Sequence, residues 1–209
     1  MERYLLSSTE FELRLRVVQP AQWTLPTPCP EWNVHRLVNH VTRGNLNYVA
    51  LIEGGTRAEF LRLRDADALG TDPLAAYTRS VRACAEAFAR PGALDRILDY
   101  PLGEVTGLQA LAIRTTDNVI HTWDLARAIG ATDTLDAGLV RWIGDHFDEI
   151  YAGLPEEMLR RFFAAPHKGA CPAPQDRLLH RMGRRPDLWY PGDQLRPAQE
   201  KPCAHSASP

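Results

Sequence analysis

No stretch of this 209-residue chain holds the roughly 18 consecutive apolar side chains that a membrane-spanning helix needs. The N-terminal Met1-Glu2-Arg3-Tyr4 carries the acidic Glu2 and no apolar h-region, so no secretion signal is expected there. Cysteine is sparse: Cys29, Cys84, Cys171 and Cys203 are far apart and form no C-x-x-C. That argues against a disulfide framework and against a thiolate zinc site, and it makes a reducing cytoplasm the expected location. A large charge of either sign is also missing. The net charge of −2 gives no reason to expect nucleic acid or an anionic membrane as a partner. No internal repeat is visible, and strand signals are confined to one short stretch.

What is present is an ordinary globular composition, with 44% hydrophobic and 24% charged residues, on a length that suits one domain. Apolar residues recur at helical spacing in five long segments. The first, 3–19, aligns Tyr4, Phe11, Leu15 and Val18 and ends at Pro20. The second, 34–53, aligns Val34, Leu37, Val41, Tyr48 and Ile52 and stops at Gly54-Gly55. The third, 72–90, opens with Asp72 as cap and Pro73 at the first helical position. The fourth, 107–129, closes at Gly130. The fifth, 135–151, turns Leu139, Ile143, Phe147 and Ile150 inward. Shorter helices are expected over 155–163 and 176–183.

Between the first two helices, Pro26, Pro28 and Pro30 rule out regular structure, and Trp23 and Trp32 flank them. This reads as an ordered connector, with Asn33 capping the next helix and Cys29 as a small buried side chain. Residues 56–70 are charged and irregular. They read as a solvated loop or short helix, or as a lid. Residues 94–106 read as a hairpin turning at Leu102-Gly103. The expected fold is all-α: an up-down four-helix bundle with extra short C-terminal helices, one domain over 1–195, and a disordered tail over 196–209.

One pattern carries chemistry. Asp117 and His121 are four residues apart on the fourth helix, so they stand one above the other on one face. A carboxylate and an imidazole so placed can hold a metal ion from one rigid element. His40, at the margin of the second helix's apolar stripe, is the best third ligand. The same spacing also makes a plain hydrogen bond on a solvated face. His35 is turned about 140° away from His40 and should be exposed.

Four pieces of the chain, in order, resemble one family. They are Trp23-x-x-Pro26-Thr27-Pro28-Cys29-x-x-Trp32, Leu37-Val38-x-His40-Val41, His121-Thr122-Trp123-Asp124-Leu125-Ala126-Arg127-Ala128-x-Gly130, and Asp176-Arg177-Leu178-Leu179-x-x-x-Gly183-Arg184-x-Pro186. Together they resemble the DinB-like superfamily, in its mycothiol-dependent maleylpyruvate isomerase N-terminal branch of actinobacteria. The resemblance implies a helical bundle holding one divalent metal on His40, Asp117 and His121. It further implies an enzyme that uses a thiol, mycothiol, on a small electrophile as transferase or isomerase. Relatives acting on thiols often carry Glu where this chain has Asp117. The shorter side chain loosens coordination or puts a water between carboxylate and metal. A separate C-terminal substrate-binding domain, which the isomerase has, is not expected here, and maleylpyruvate itself is not the expected substrate.

Two imidazoles and a carboxylate suit catalytic zinc, and equally nickel, iron or manganese. Two other functions stay open: a metal-dependent isomerase, cyclase or hydrolase without a thiol, and a non-catalytic metal or small-molecule binder. A small-molecule partner is expected, on a monomer or homodimer. Asp124 is a candidate to accept the free N–H of a ligand imidazole, or else to pair with Arg127 on the surface. Arg114 either grips a substrate carboxylate or pairs with Asp117, which would argue against a metal. Trp123 should pack between helices. Arg177, Arg181, Arg184 and Arg185 are expected on a solvated face, and His146, His167, His180 and His205 fit no ligand spacing.

Overall fold

A computed structural model describes residues 1–155, 157, 173–188 and 190. The expected helix over 155–163 and the expected tail over 196–209 fall largely or wholly outside the described residues. Among the described residues the elements are α1 (Glu2–Leu15), a 3-10 turn (Pro20–Gln22), α2 (Val34–Ile52), α3 (Arg57–Leu63), α4 (Pro73–Phe88), β1 (Ile97–Tyr100), β2 (Gly103–Thr106), α5 (Gly107–Ile129), α6 (Ala137–Ile150) and α7 (Pro174–Arg181). The fold is all-α, with one small antiparallel hairpin. No described helix is long and apolar enough to cross a membrane.

The caps behave as their side chains dictate. Asn33 accepts from the Arg36 N–H, Asp72 from Ala75, Thr106 from Gln109 and Asp136 from Leu139. Gly130 closes α5 in the left-handed conformation at φ 72°. The α1 helix stops at Leu15 rather than at 19. Val17 and Val18 are β-branched and hold a helix poorly, and Val18 packs on the core beside the connector. The hairpin turns at Pro101-Leu102, one residue earlier than expected, because Gly103 already pairs with Tyr100. Its register places Leu98 opposite Val105, and both are buried.

Helix directions follow from which residues meet. Ser8 of α1 lies against Asn118 of α5, and Arg14 reaches the carbonyls of Thr132 and Thr134 beyond it, so α1 and α5 run parallel. His40 of α2 faces His121 of α5 and Gly44 faces Arg114, so α2 runs against α5; Asn45 of α2 meets Ser80 of α4 and Tyr48 meets Phe88, so α4 runs with α2. Going along the chain, α1, α2, α4 and α5 therefore run up, down, down and up, where the sequence reading expected an up-down bundle. Two successive helices pointing the same way need a long return. Residues 53–72 supply it and run back along α2. Asn47 donates to the Phe60 carbonyl, and Asn39 and Arg43 to the Ala66 carbonyl. The charged segment 56–70 is thus a strap carrying α3, which is held by a Thr56–Glu59 capping box and an Arg57–Asp99 pair.

The α5 helix is buried on nearly every side, consistent with its weak amphipathicity. Its inner neighbours form a polar layer through the bundle. Tyr4 donates to Asn45, Asn45 to Ser80, and Asn118 to Ser8. Apolar clusters lie on both sides of this layer, holding Phe88, Ile120, Trp123 and Ile143 on one side and Phe11, Leu37, Tyr77 and Leu125 on the other. Each fully buried side chain of this size contributes about 1.5–3 kcal/mol, so the bundle has its own reason to fold.

Candidate metal centre

The antiparallel contact of α2 and α5 brings His40, Asp117 and His121 together. One ligand atom from each lies within 4.8 Å of the others. His121 Nε2 is 3.2 Å from Asp117 Oδ1, and His40 Nε2 is 3.5 Å from Asp117 Oδ2. The His121 side chain is 5% exposed, while His40 and Asp117 are 25% and 28% exposed, so the cluster opens on one side. That side is a cavity of about 690 Å³ along the α2–α5 seam. The connector's Cys29 and Trp32 bound one end, and Tyr48, Phe60 and Tyr100 bound the other.

The residues around the cluster hold it in one arrangement. His121 Nδ1 is 2.9 Å from Asp124 Oδ2, and Asp124 is fully buried. A buried carboxylate there favours the proton on Nδ1 and turns Nε2 toward Asp117, where a metal would have to displace the Nε2 proton to bind. Asp124 does not pair with Arg127, which reaches Asp133 instead. Its partner is Arg184, whose two nitrogens meet both carboxylate oxygens at 3.1 and 2.7 Å. Trp32 covers the pair of imidazoles, 4.4 Å from His40 and 5.6 Å from His121, centre to centre.

Arg114 is 2% exposed and bonds Asn118 through Nε and Nη2. Its Nη2 also lies 2.9 Å from Asp117 Oδ2, so the pairing alternative holds. That nitrogen does not aim an N–H at Oδ2, however, and Oδ2 stays buried without a hydrogen-bond donor. A carboxylate offers about four lone-pair sites, so an arginine beside it leaves room for a further cation. The Arg114 guanidinium fits because residue 44 is glycine. A Cβ on Gly44 would lie 2.2 Å from Arg114 Nη1.

Electrostatics follow the burial and the partners. Burial alone would raise Asp117, but Arg114 and His121 hold it well below the usual carboxylate range. Burial lowers His40, against the opposing pull of Asp117. For His121, burial is outweighed by Asp117 and Asp124, which raise it well above the usual value. Asp124, despite burial, is held to about 2 by Arg184 and His121.

Two residues of the site escaped the sequence reading. Arg184 belongs to the site and not to a solvated face. Cys29 is half-buried, with Sγ 3.3 Å from Asp124 and 3.2 Å from Arg184. Burial and Asp124 push its thiol up, so it stays protonated. Cys29, His121 and Asp124 also lie close enough to share an ion. The cation position there is already taken by the Arg184 guanidinium. The proline-rich spacing around Cys29 was the one available signal, because it predicts an ordered connector. His35 is exposed, as its angle from His40 requires, and Trp123 is buried at 1%.

Fold and site together define a helical-bundle protein with two imidazoles and a carboxylate, close enough to share a metal ion, lining a cavity. The chain belongs to the mycothiol maleylpyruvate isomerase N-terminal domain family, whose model matches residues 5–126. It is 35% identical over 133 residues to the uncharacterized proteins Rv0738 and MT0763 of two Mycobacterium tuberculosis strains. That match covers 62% of this chain and 66% of each relative, just under two thirds of their length. The crystal structure of a His-to-Ala mutant of the mycothiol-dependent maleylpyruvate isomerase matches with a TM-score of 0.54 at 17% identity. It covers 67% of this chain and 64% of that one, and at this identity the likeness establishes a common fold.

Proposed function

We propose that this protein is a divalent-metal-dependent enzyme that directs a low-molecular-weight thiol, mycothiol, at an electrophilic carbon of a small molecule, as transferase or isomerase. The observation carrying the proposal is the cluster of His40, Asp117 and His121, with one ligand atom from each within 4.8 Å, open to a cavity. The donor set fits a metal. Asp117 Oδ2 is buried without an aligned hydrogen bond, and Asp124 holds the His121 ring so that Nε2, 3.2 Å from Asp117 Oδ1, can bind a metal once its proton is displaced. Two imidazoles and one carboxylate with an open side match a catalytic zinc set, and nickel, iron and manganese accept the same donors. Membership of a family named for a mycothiol isomerase supports the thiol.

When bound, the metal supplies Lewis acidity that lowers the pKa of a thiol or water beside it. The chain's own residues do the rest. Asp124 fixes the His121 ring, and Arg184 fixes Asp124. Arg114 balances the Asp117 charge and keeps it ionised. Trp32 keeps water from the outer faces of both imidazoles. Cys29, held as the neutral thiol, does not compete as nucleophile.

Protein purified without chelator should contain about one zinc or comparable ion per chain by elemental analysis, as expected for one three-ligand site. His40→Ala, Asp117→Ala and His121→Ala should each lose it while helical circular dichroism persists. Turnover of a thiol with an electrophile should disappear with the metal. Turnover without thiol dependence would favour the isomerase, cyclase or hydrolase reading. Metal bound in the three alanine variants would refute the site.

A further inference from the structure

The cavity has two ends of different chemistry, and only one belongs to the ligand cluster. The far end is a wall of three rings in mutual contact. Tyr48 lies 5.9 Å from Phe60 and 5.8 Å from Tyr100, and Phe60 lies 5.8 Å from Tyr100, centre to centre. Each ring comes from a different element, α2, α3 and β1, so the fold converges on this wall. Leu61 stands beside it at the cavity mouth, 46% exposed, where an apolar side chain gains nothing from water.

Charge inside this cavity is balanced. The two interior arginines are each met by a carboxylate, Arg114 by Asp117 at 2.9 Å and Arg184 by Asp124 at 2.7 Å. Of the outer lining residues, Arg64 is met by Asp65 at 4.0 Å, and Glu31 adds a negative charge. A ligand bringing two carboxylates would meet no pair of arginines prepared for it. The polar side chains at the aromatic end are Asn47, which donates to the Phe60 carbonyl, and the two phenols Tyr48 and Tyr100, whose rings lie 5.8 Å apart in the cavity wall. Each phenol carries one O–H that can donate to a ligand. Burial pushes Tyr100 up to about 12 and Tyr48 well above its usual value, so both keep their protons.

We propose that the aromatic end of this cavity is the binding site for the body of the electrophile, and that this body is flat, uncharged and π-rich, with a carbonyl oxygen directed at the Tyr48–Tyr100 pair. The inference deepens the proposed thiol chemistry and rests on it for the word electrophile. The binding itself needs only the cavity. Flat π-systems stack on or edge against aromatic rings, which gives preference over an aliphatic ligand of equal size. A neutral carbonyl receives one phenol O–H without bringing a charge to be desolvated.

The test uses the full chain, with zinc and with EDTA, titrated calorimetrically with 1-tetralone, with tetralin and with maleate. Tetralone should bind about tenfold or more tighter than maleate in the EDTA-treated protein, because a dianion is costly to bury where the arginines are already paired with carboxylates. Phe60→Ala and Leu61→Ala should each weaken tetralone about threefold to tenfold, as loss of a packed ring or apolar contact does. Leu61 is exposed enough that its removal leaves the fold intact. The pair Tyr48→Phe with Tyr100→Phe keeps the rings. It should weaken tetralone about fivefold and leave tetralin unchanged, the signature of one lost hydrogen bond. Zinc content, measured in the same samples, should not change in any of these variants. Maleate binding as tightly as tetralone without metal would overturn the proposal. So would tetralone binding that ignores all three variants, or that appears only with zinc present. Failure of the metal reading is seen separately, in zinc content.

Discussion

Gly44 decides the geometry of Arg114, and Arg114 decides the charge of Asp117. In an ordinary helix interior, replacing glycine with alanine gains about 1 kcal/mol. Here the new methyl would lie 2.2 Å from Arg114 Nη1, and that side chain is buried and bonded to Asn118. Gly44→Ala is therefore expected to lose about 1–3 kcal/mol in urea denaturation, the usual range for overpacking a filled interior. A gain in stability would show that Arg114 relocates without strain. Gly107 is tighter still. Its added Cβ would meet the Ala93 carbonyl oxygen at 2.0 Å, and backbone yields less readily than a guanidinium.

At the scale of elements, the segment after α7 reaches back across the bundle to put Arg184 on Asp124, and Asp124 on His121. The family model stops at residue 126, so this contact ties the matched part of the chain to a part beyond it. The chain gains a fixed imidazole from it. Arg184→Met leaves Asp124 buried without its cation. Arg184→Lys keeps the charge but loses the two-pronged fit at 3.1 and 2.7 Å. Both variants are expected to weaken zinc binding about 10–100-fold in competition with a chromophoric chelator, the usual effect of removing a ligand's supporting partner. Unchanged affinity in both would mean that Asp124 orients His121 unaided. The strap 53–72 is a second element whose role the chain's direction sets: parallel α2 and α4 require it, and its return path carries Phe60 to the cavity.

For the whole molecule, the apolar clusters on both sides of the polar layer should let the bundle fold without any metal at the proposed site. Treatment with EDTA should leave far-ultraviolet circular dichroism unchanged. Adding zinc back should raise the melting temperature only by mass action, about 2.7 kcal/mol of stabilisation at a free concentration 100-fold above Kd. Unfolding on chelation would couple the site to folding, and the metal would then be structural.

The helices and their caps were legible because their signals are local. Asn33, Asp72, Pro73 and Gly130 act on backbone within one turn, and apolar spacing at 3.6 residues per turn fixes which face is buried. The Asp117/His121 pair was legible for the same reason, since one rigid helix sets its geometry. Asp124 was half legible: three residues from His121 it can reach the ring, but whether it turns to Arg127 or inward depends on what lies opposite. The partner lies 60 residues away in sequence. The motif Gly183-Arg184-x-Pro186 marks Arg184 and not Arg185, which is paired with Asp187 at the surface, but it does not say what Arg184 touches. Only the path of the chain after α7 shows that. The cavity and its three-ring wall have no local signature at all, because Tyr48, Phe60 and Tyr100 each read as a separate apolar position. Helix direction brings them together, and helix direction is set by the summed burial of whole faces rather than by any one residue's neighbours in sequence.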